Sequence, residues 1–88
     1  MPVEVAAEEQ MLYWLGRAAK EIRDEAGLTR SQVAGALAVD QSKIQRFELG
    51  HSWPHDIDSV LNAYASLAEL EHPREVWKRA LKLWNSGT

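Results

Sequence analysis

Cysteine is absent from the 88 residues, which excludes a disulfide framework and a thiolate zinc site. No apolar run approaches the length of a membrane span, and no secretory signal pattern opens the chain. A cytoplasmic location is therefore expected. There is no glycine-rich phosphate loop, no metal cluster, and no serine or cysteine nucleophile with a base and an orienting partner. The acids are scattered, mostly on faces expected to be solvated, so neither an enzyme nor a cofactor site is expected. Positive charge is also scarce: ten Lys and Arg against thirteen Asp and Glu leave a net charge of −3. That balance argues mildly against a large basic field for nucleic acid. Its distribution is uneven. Residues 1–28 carry six acids and three bases, residues 29–55 three bases and two acids, and residues 56–88 five acids and four bases. Only the middle third is positive.

What the chain does have is enough apolar material for one small helical domain, 45% hydrophobic residues with four tryptophans. It is organised around residues 29–50, TRSQVAGALAVDQSKIQRFELG. Thr29 and Gln32 make a capping box, each side chain able to satisfy a free backbone N–H of the other's residue. Val33, Ala34 and Leu37 then fall at helical spacing on one face. Ala38-Val39-Asp40 interrupts the pattern, and Asp40 suits the N-cap of a second helix. That helix points Ile44 and Phe47 inward and stops at Gly50, where glycine tolerates a left-handed C-cap. Two short helices joined by a tight turn read as a helix-turn-helix.

With Ile44 and Phe47 inside, Ser42, Gln45, Arg46 and Leu49 project outward, Lys43 lies to one side, and Gln41 sits in the first turn. Gln offers bidentate bonds to adenine and Arg to guanine, while Ser and Lys bond more flexibly. The same side chains also suit a merely solvated face; the two-helix grammar around them favours groove reading.

The stretch LGRAAKEIRDEAGLTRSQVAGALAVDQSKIQRFELGHSWP resembles the phage repressor and Cro (XRE) family of helix-turn-helix domains. The likeness lies in Arg23 four residues before Gly27, in Gly27-Leu28-Thr29, and in Val33-Ala34 with Leu37. It continues through Val39, the Ser42/Ile44/Arg46 rhythm, Glu48, Gly50 and Pro54, and covers roughly residues 12 to 70. The resemblance implies a compact all-α, five-helix bundle like lambda repressor, with the helix-turn-helix at helices 2 and 3. It implies that Gln41, Ser42, Lys43, Gln45 and Arg46 face DNA bases, that Arg30 touches phosphate, and that Arg23 and Glu48 form a structural ion pair tying helix 1 to the recognition helix. The chain departs from the family at Ala38, where glycine usually makes the turn, at Gly35 inside a helix, and at Leu49, where an outward polar residue is common. A left-handed Ala38 costs on the order of 1–2 kcal/mol. Leu49 can meet a thymine methyl or simply cover the helix end.

Along the rest of the chain, residues 1–7 are expected to be a flexible arm, residues 8–84 one domain, and residues 85–88 a frayed tail. Helix 1 is expected from about Glu8 to Ala26, with Leu12, Leu15, Ala19, Ile22 and Ala26 as its core stripe. Met11, Tyr13 and Trp14 add apolar surface beside it. After the motif, the loop His51-Ser52-Trp53-Pro54 runs, by analogy, along the DNA backbone. Ser52 can bond phosphate there, and the imidazoles of His51 and His55 suit a phosphate better than a metal, since Pro54 breaks any helix between them and no third ligand is evident. Trp53 suits a core plug better than a stacking platform. His55 or Asp56 caps helix 4, whose apolar face is Ile57, Val60, Leu61, Tyr64, Ala65, Leu67 and Ala68. Helix 5 is expected over 73–84 with Pro73 in its first position. Val76, Trp77, Ala80, Leu81 and Trp84 line one side, and Arg74, Lys78, Arg79 and Lys82 form a mainly solvated remainder.

Two tryptophans so near the end exceed what a small core needs. Trp77, Leu81 and Trp84, with Trp14, are candidates for a twofold contact between copies, and equally for packing of helix 5 on helix 1. Taken with the resemblance, the expected function is a sequence-specific transcriptional regulator of a bacterium or phage-infected cell. It binds a double-stranded, palindromic operator as a homodimer. The alternatives are a protein-interaction module, antitoxin-like or partner-binding, suggested by the acidic balance and surplus aromatics, and a DNA-architectural or recombination-directing phage protein.

Overall fold

The computed structural model describes residues 3–52, 54 and 56–87. Their regular structure is helical throughout: α1 (Val3–Glu25), α2 (Arg30–Leu37), α3 (Gln41–Glu48), α4 (Ile57–Leu67) and α5 (Arg74–Gly87). Trp53 and His55, with the roles expected of them, lie outside the described residues.

The long element is α1. At 1.5 Å per residue its 23 residues span about 34 Å, close to the 38 Å long axis of the molecule. It starts at Val3, so the arm expected over residues 1–7 is helical from that point. Leu12, Leu15, Ala18, Ala19 and Ile22 are buried along one side. Ala26, expected in that stripe, is exposed because the helix has already ended at Glu25. The chain leaves through Gly27 at φ +71°, with the Leu28 N–H on the Arg23 carbonyl (3.0 Å) and the Gly27 N–H on the Asp24 carbonyl (3.1 Å).

Asp56, rather than His55, caps α4: its carboxylate accepts from the Ser59 N–H (3.1 Å) and hydroxyl (2.7 Å). Val60, Leu61, Tyr64 and Ala65 make the buried face of α4. The helix ends at Leu67, and two residues on the chain turns through a left-handed Glu69 at φ +59°. Pro73 lies just ahead of α5, and the Glu75 carboxylate reaches back to the Glu71 and His72 N–H groups (2.9 and 3.3 Å). α5 continues past Trp84 to Gly87, three residues beyond its expected end and into the tail expected to fray.

α5 packs chiefly along α1, which also meets α3 and α4, while α2 packs on α3 and α4. Val76 and Ala80 are fully buried, and Leu83 and Trp77 pack on the core. This i, i+4, i+7 stripe excludes Leu81, which lies about 100° round the helix from Ala80 and is 49% exposed. Leu81 is thus a surface residue, not part of the intramolecular stripe. Arg79 is not merely solvated either, since it spans to Glu25 (2.7 and 3.0 Å) and Glu21 (3.2 Å) on α1. That pairing raises the Arg79 pKa and holds the Glu25 carboxyl below its ordinary range. The largest fully buried side chains, Tyr64, Phe47, Leu15, Leu61, Val33 and Val76, come from all five helices and form one core. Among the described residues, no helix is long and apolar enough to cross a membrane.

Candidate nucleic-acid interface

The helix-turn-helix is built from local rules first. Gln32 N–H donates to the Thr29 hydroxyl (3.2 Å) and Thr29 N–H to the Gln32 side-chain oxygen (2.7 Å), so the capping box is complete. α2 buries Val33 and Ala34 and leaves its last turn through Ala38, left-handed at φ 55°, ψ 44°. The Val39 N–H then closes on the Ala34 carbonyl at 3.0 Å. Asp40 occupies the N-cap position of α3, but its carboxylate makes no capping bond; only its carbonyl is used, by the Lys43 N–H at 3.0 Å. At the other end Leu49, not Gly50, is the C-cap residue. Gly50 follows at φ +75°, and the His51 N–H returns to the Arg46 carbonyl at 2.8 Å.

Two glycines bring α1 against the end of α3. A Cβ on Gly16 would collide with the Phe47 carbonyl oxygen, and one on Gly50 would sit 2.8 Å from Tyr13 Cα. Glycine is required at both because backbone meets backbone there.

The second anchor is Glu48, whose side chain is fully buried. Arg23 donates to it through Nε (2.8 Å) and Nη2 (3.0 Å), a two-point charge-assisted bond from α1 to α3. The third Arg23 nitrogen donates to the Leu28 carbonyl (3.0 Å), so this side chain also holds the connection into α2. The Tyr64 hydroxyl donates to Glu48 at 2.6 Å from α4, and Arg30 Nε approaches at 3.3 Å from the first residue of α2. One carboxylate thereby joins four helices. Its hydrogen bond is the main reason the Arg23 pKa is raised. Burial first, and then the adjacent carboxylate, push the Tyr64 phenol well above its ordinary value. Among the described residues no buried side-chain nitrogen or oxygen lacks a partner.

Against this fixed inner side, Gln41, Ser42, Lys43, Gln45 and Arg46 are all exposed, while Ile44, Phe47 and Glu48 are buried. Leu49 is 46% exposed, one turn beyond Gln45 and Arg46. His51 and Ser52 are exposed just past the helix. Arg30 is half-exposed with Nε turned to Glu48. Trp77, Leu81 and Trp84 lie on α5, where the two tryptophans are half-buried; Trp14, also half-buried, is on α1 with Tyr13 edge-on to its ring at 4.9 Å. No group of three or more His, Asp or Glu among the described residues can hold a metal ion.

Sequence reasoning did not anticipate Tyr64 or Arg30 on Glu48, nor the close approach at Gly16. A glycine in mid-helix was the visible signal for the last. Nothing in the spacing marked Tyr64, which reads as one more apolar-face aromatic.

A search of curated proteins and of solved structures found no match to the chain. The family described as a helix-turn-helix domain matches residues 14–76, from Trp14 of α1 to the first turn of α5. Trp77, Leu81 and Trp84 fall just outside that match. With most of its length matched, its five helices in a bundle and the capped α2–turn–α3 unit at its centre, the chain belongs to the helix-turn-helix domain family.

Proposed function

We propose that this protein is a sequence-specific, Cro- or repressor-like transcriptional regulator that reads the major groove of double-stranded DNA with α3. The supporting observation is the division of α3. Every groove-type side chain from Gln41 to Arg46 is exposed, and the opposite side is fixed by Phe47, Ile44 and the four-helix carboxylate at Glu48. Such preorganisation lets base contacts form without first ordering the helix. Gln41, Ser42, Lys43, Gln45 and Arg46 read base edges; Arg30, His51, Ser52 and His55 hold phosphates. The positive charge available is small, so affinity depends on specific contacts and on pairing of two copies over a palindromic site. Leu81, with Trp77, Trp84 and Trp14, is the candidate contact between copies.

The test is selection of bound duplexes from a random pool at about 100 mM salt, with wild type and with Gln45→Ala/Arg46→Ala. A palindromic motif that the double variant loses or alters is the expected result. Arg46→Ala alone is expected to cost about 1–3 kcal/mol and relax one base position. Equal binding of all sequences by wild type and Arg46→Ala would remove the base-reading role. A protein-interaction module is the second function to consider, motivated by the net charge of −3 and the exposed Leu81. No enrichment by the wild type would favour it.

A further inference from the structure

Tyr13 and Arg17, on α1, form an exposed pair beyond the motif. Arg17 Nη1 donates to the Tyr13 hydroxyl oxygen at 3.0 Å. Tyr13 is 43% exposed, and its ring is braced edge-on by Trp14 (81° between planes). A phenol that accepts from Arg17 keeps its own O–H to donate outward. Arg17 forms no ion pair among the described residues, unlike its neighbour Lys20, which lies 3.7 Å from Asp24. The pair thus presents a cation and a hydroxyl donor, held together and not neutralised.

Its position gives it meaning. The Tyr13 backbone abuts Gly50, and Gly16, one turn further on and beside Arg17, abuts the Phe47 carbonyl. Ser42, Gln45 and Leu49 follow one another at i, i+3, i+7 on the outward side of α3, so this row ends where Tyr13 begins. A duplex lying along that row carries its sugar–phosphate backbone past the end of α3.

We propose that Tyr13 and Arg17 form a phosphate clamp, a third strip of the DNA interface supplied by α1. Arg17 binds the anion, and Tyr13 both aims the guanidinium and donates to the same phosphate. The clamp carries no sequence information; it fixes the register in which α3 meets the bases. This inference rests on the DNA-binding function proposed above.

The test is titration of the enriched duplex, and of a scrambled duplex of equal length, across a salt series. Wild type is compared with Arg17→Ala, Tyr13→Phe and the double variant. Arg17→Ala is expected to weaken binding to both duplexes by about tenfold and to make the salt dependence shallower by about one counterion. Tyr13→Phe is expected to lose about threefold, and less than that in the Arg17→Ala background, where only its own bond to the phosphate remains to be lost. Thermal unfolding of all variants should match wild type, since both side chains are exposed. If wild type binds its duplex and Arg17→Ala matches it in affinity and salt slope, the clamp is overturned. A loss confined to the enriched duplex with an unchanged slope also overturns it, since that is a base contact. A wild type that binds no duplex removes the DNA function itself, a result distinguishable from failure of the clamp.

Discussion

The buried Glu48 side chain is surrounded by donors from three other helices. Removing one partner of a buried ion pair typically costs about 3–5 kcal/mol, because the other charge stays behind. Tyr64 is the partner whose contribution titrates. Its phenol pKa is raised in the folded state, so the stability it adds is fully present below the unfolded value of about 10 and is lost as pH rises from there. Tyr64→Phe is expected to cost about 2 kcal/mol at pH 7, and the gap to wild type should narrow above pH 10. Denaturant midpoints measured from pH 7 to 11 check this, and a constant gap would place the titration elsewhere. Two helical glycines separate packing from propensity. Gly35 has open space where its Cβ would be, so Gly35→Ala should stabilise by about 1 kcal/mol. Gly16→Ala should instead destabilise by about 1–3 kcal/mol or more, because α1 and α3 would have to separate.

At the scale of the elements, the turns follow one device. α1, α2, α3 and α4 are each followed within two residues by a left-handed residue, at Gly27, Ala38, Gly50 and Glu69. Two of these are glycine and two are not. Ala38 sits in the turn that orients α3, and its strain of about 1–2 kcal/mol is held by the packing of α2 and α3. Ala38→Gly should raise stability by about 0.5–1 kcal/mol, the strain relieved less the added flexibility of the unfolded chain. Thermal melting checks it, and an unchanged or lower midpoint would mean the turn carries no strain. Element starts were legible where a side chain caps the helix, as at Thr29, and the chemistry of the cap is local. The start of α1 was not, because Val3 to Ala7 carries no cap and no breaker. The end of α5 was missed for a similar reason: Asn85 and Ser86 are poor helix formers that an ongoing helix tolerates.

At the scale of the whole molecule, the proposed function calls for two copies on one operator. Leu81 projects from α5 beside half-buried Trp77 and Trp84, on a helix whose other flank is tied to α1 through Arg79. Under the proposed function, sedimentation should show concentration-dependent dimers in the micromolar range, and Leu81→Glu should weaken them without changing the melting temperature. A strict monomer at high micromolar concentration, with and without operator DNA, would remove the dimer.

The sequence by itself determined the all-helical class, the two-helix motif, the inward set Val33, Ala34, Ile44 and Phe47, and the outward set on α3. Those features depend on period, caps and breakers, which act over a few residues. Tertiary structure alone decided that Tyr64 and Arg30 share Glu48, that Arg79 reaches Glu21 and Glu25, that Leu81 faces outward, and that α1 runs close enough to α3 to need Gly16. The contacts among these join residues far apart in the chain, and no local periodicity encodes which side chains meet, or which are left uncovered, once the helices cross.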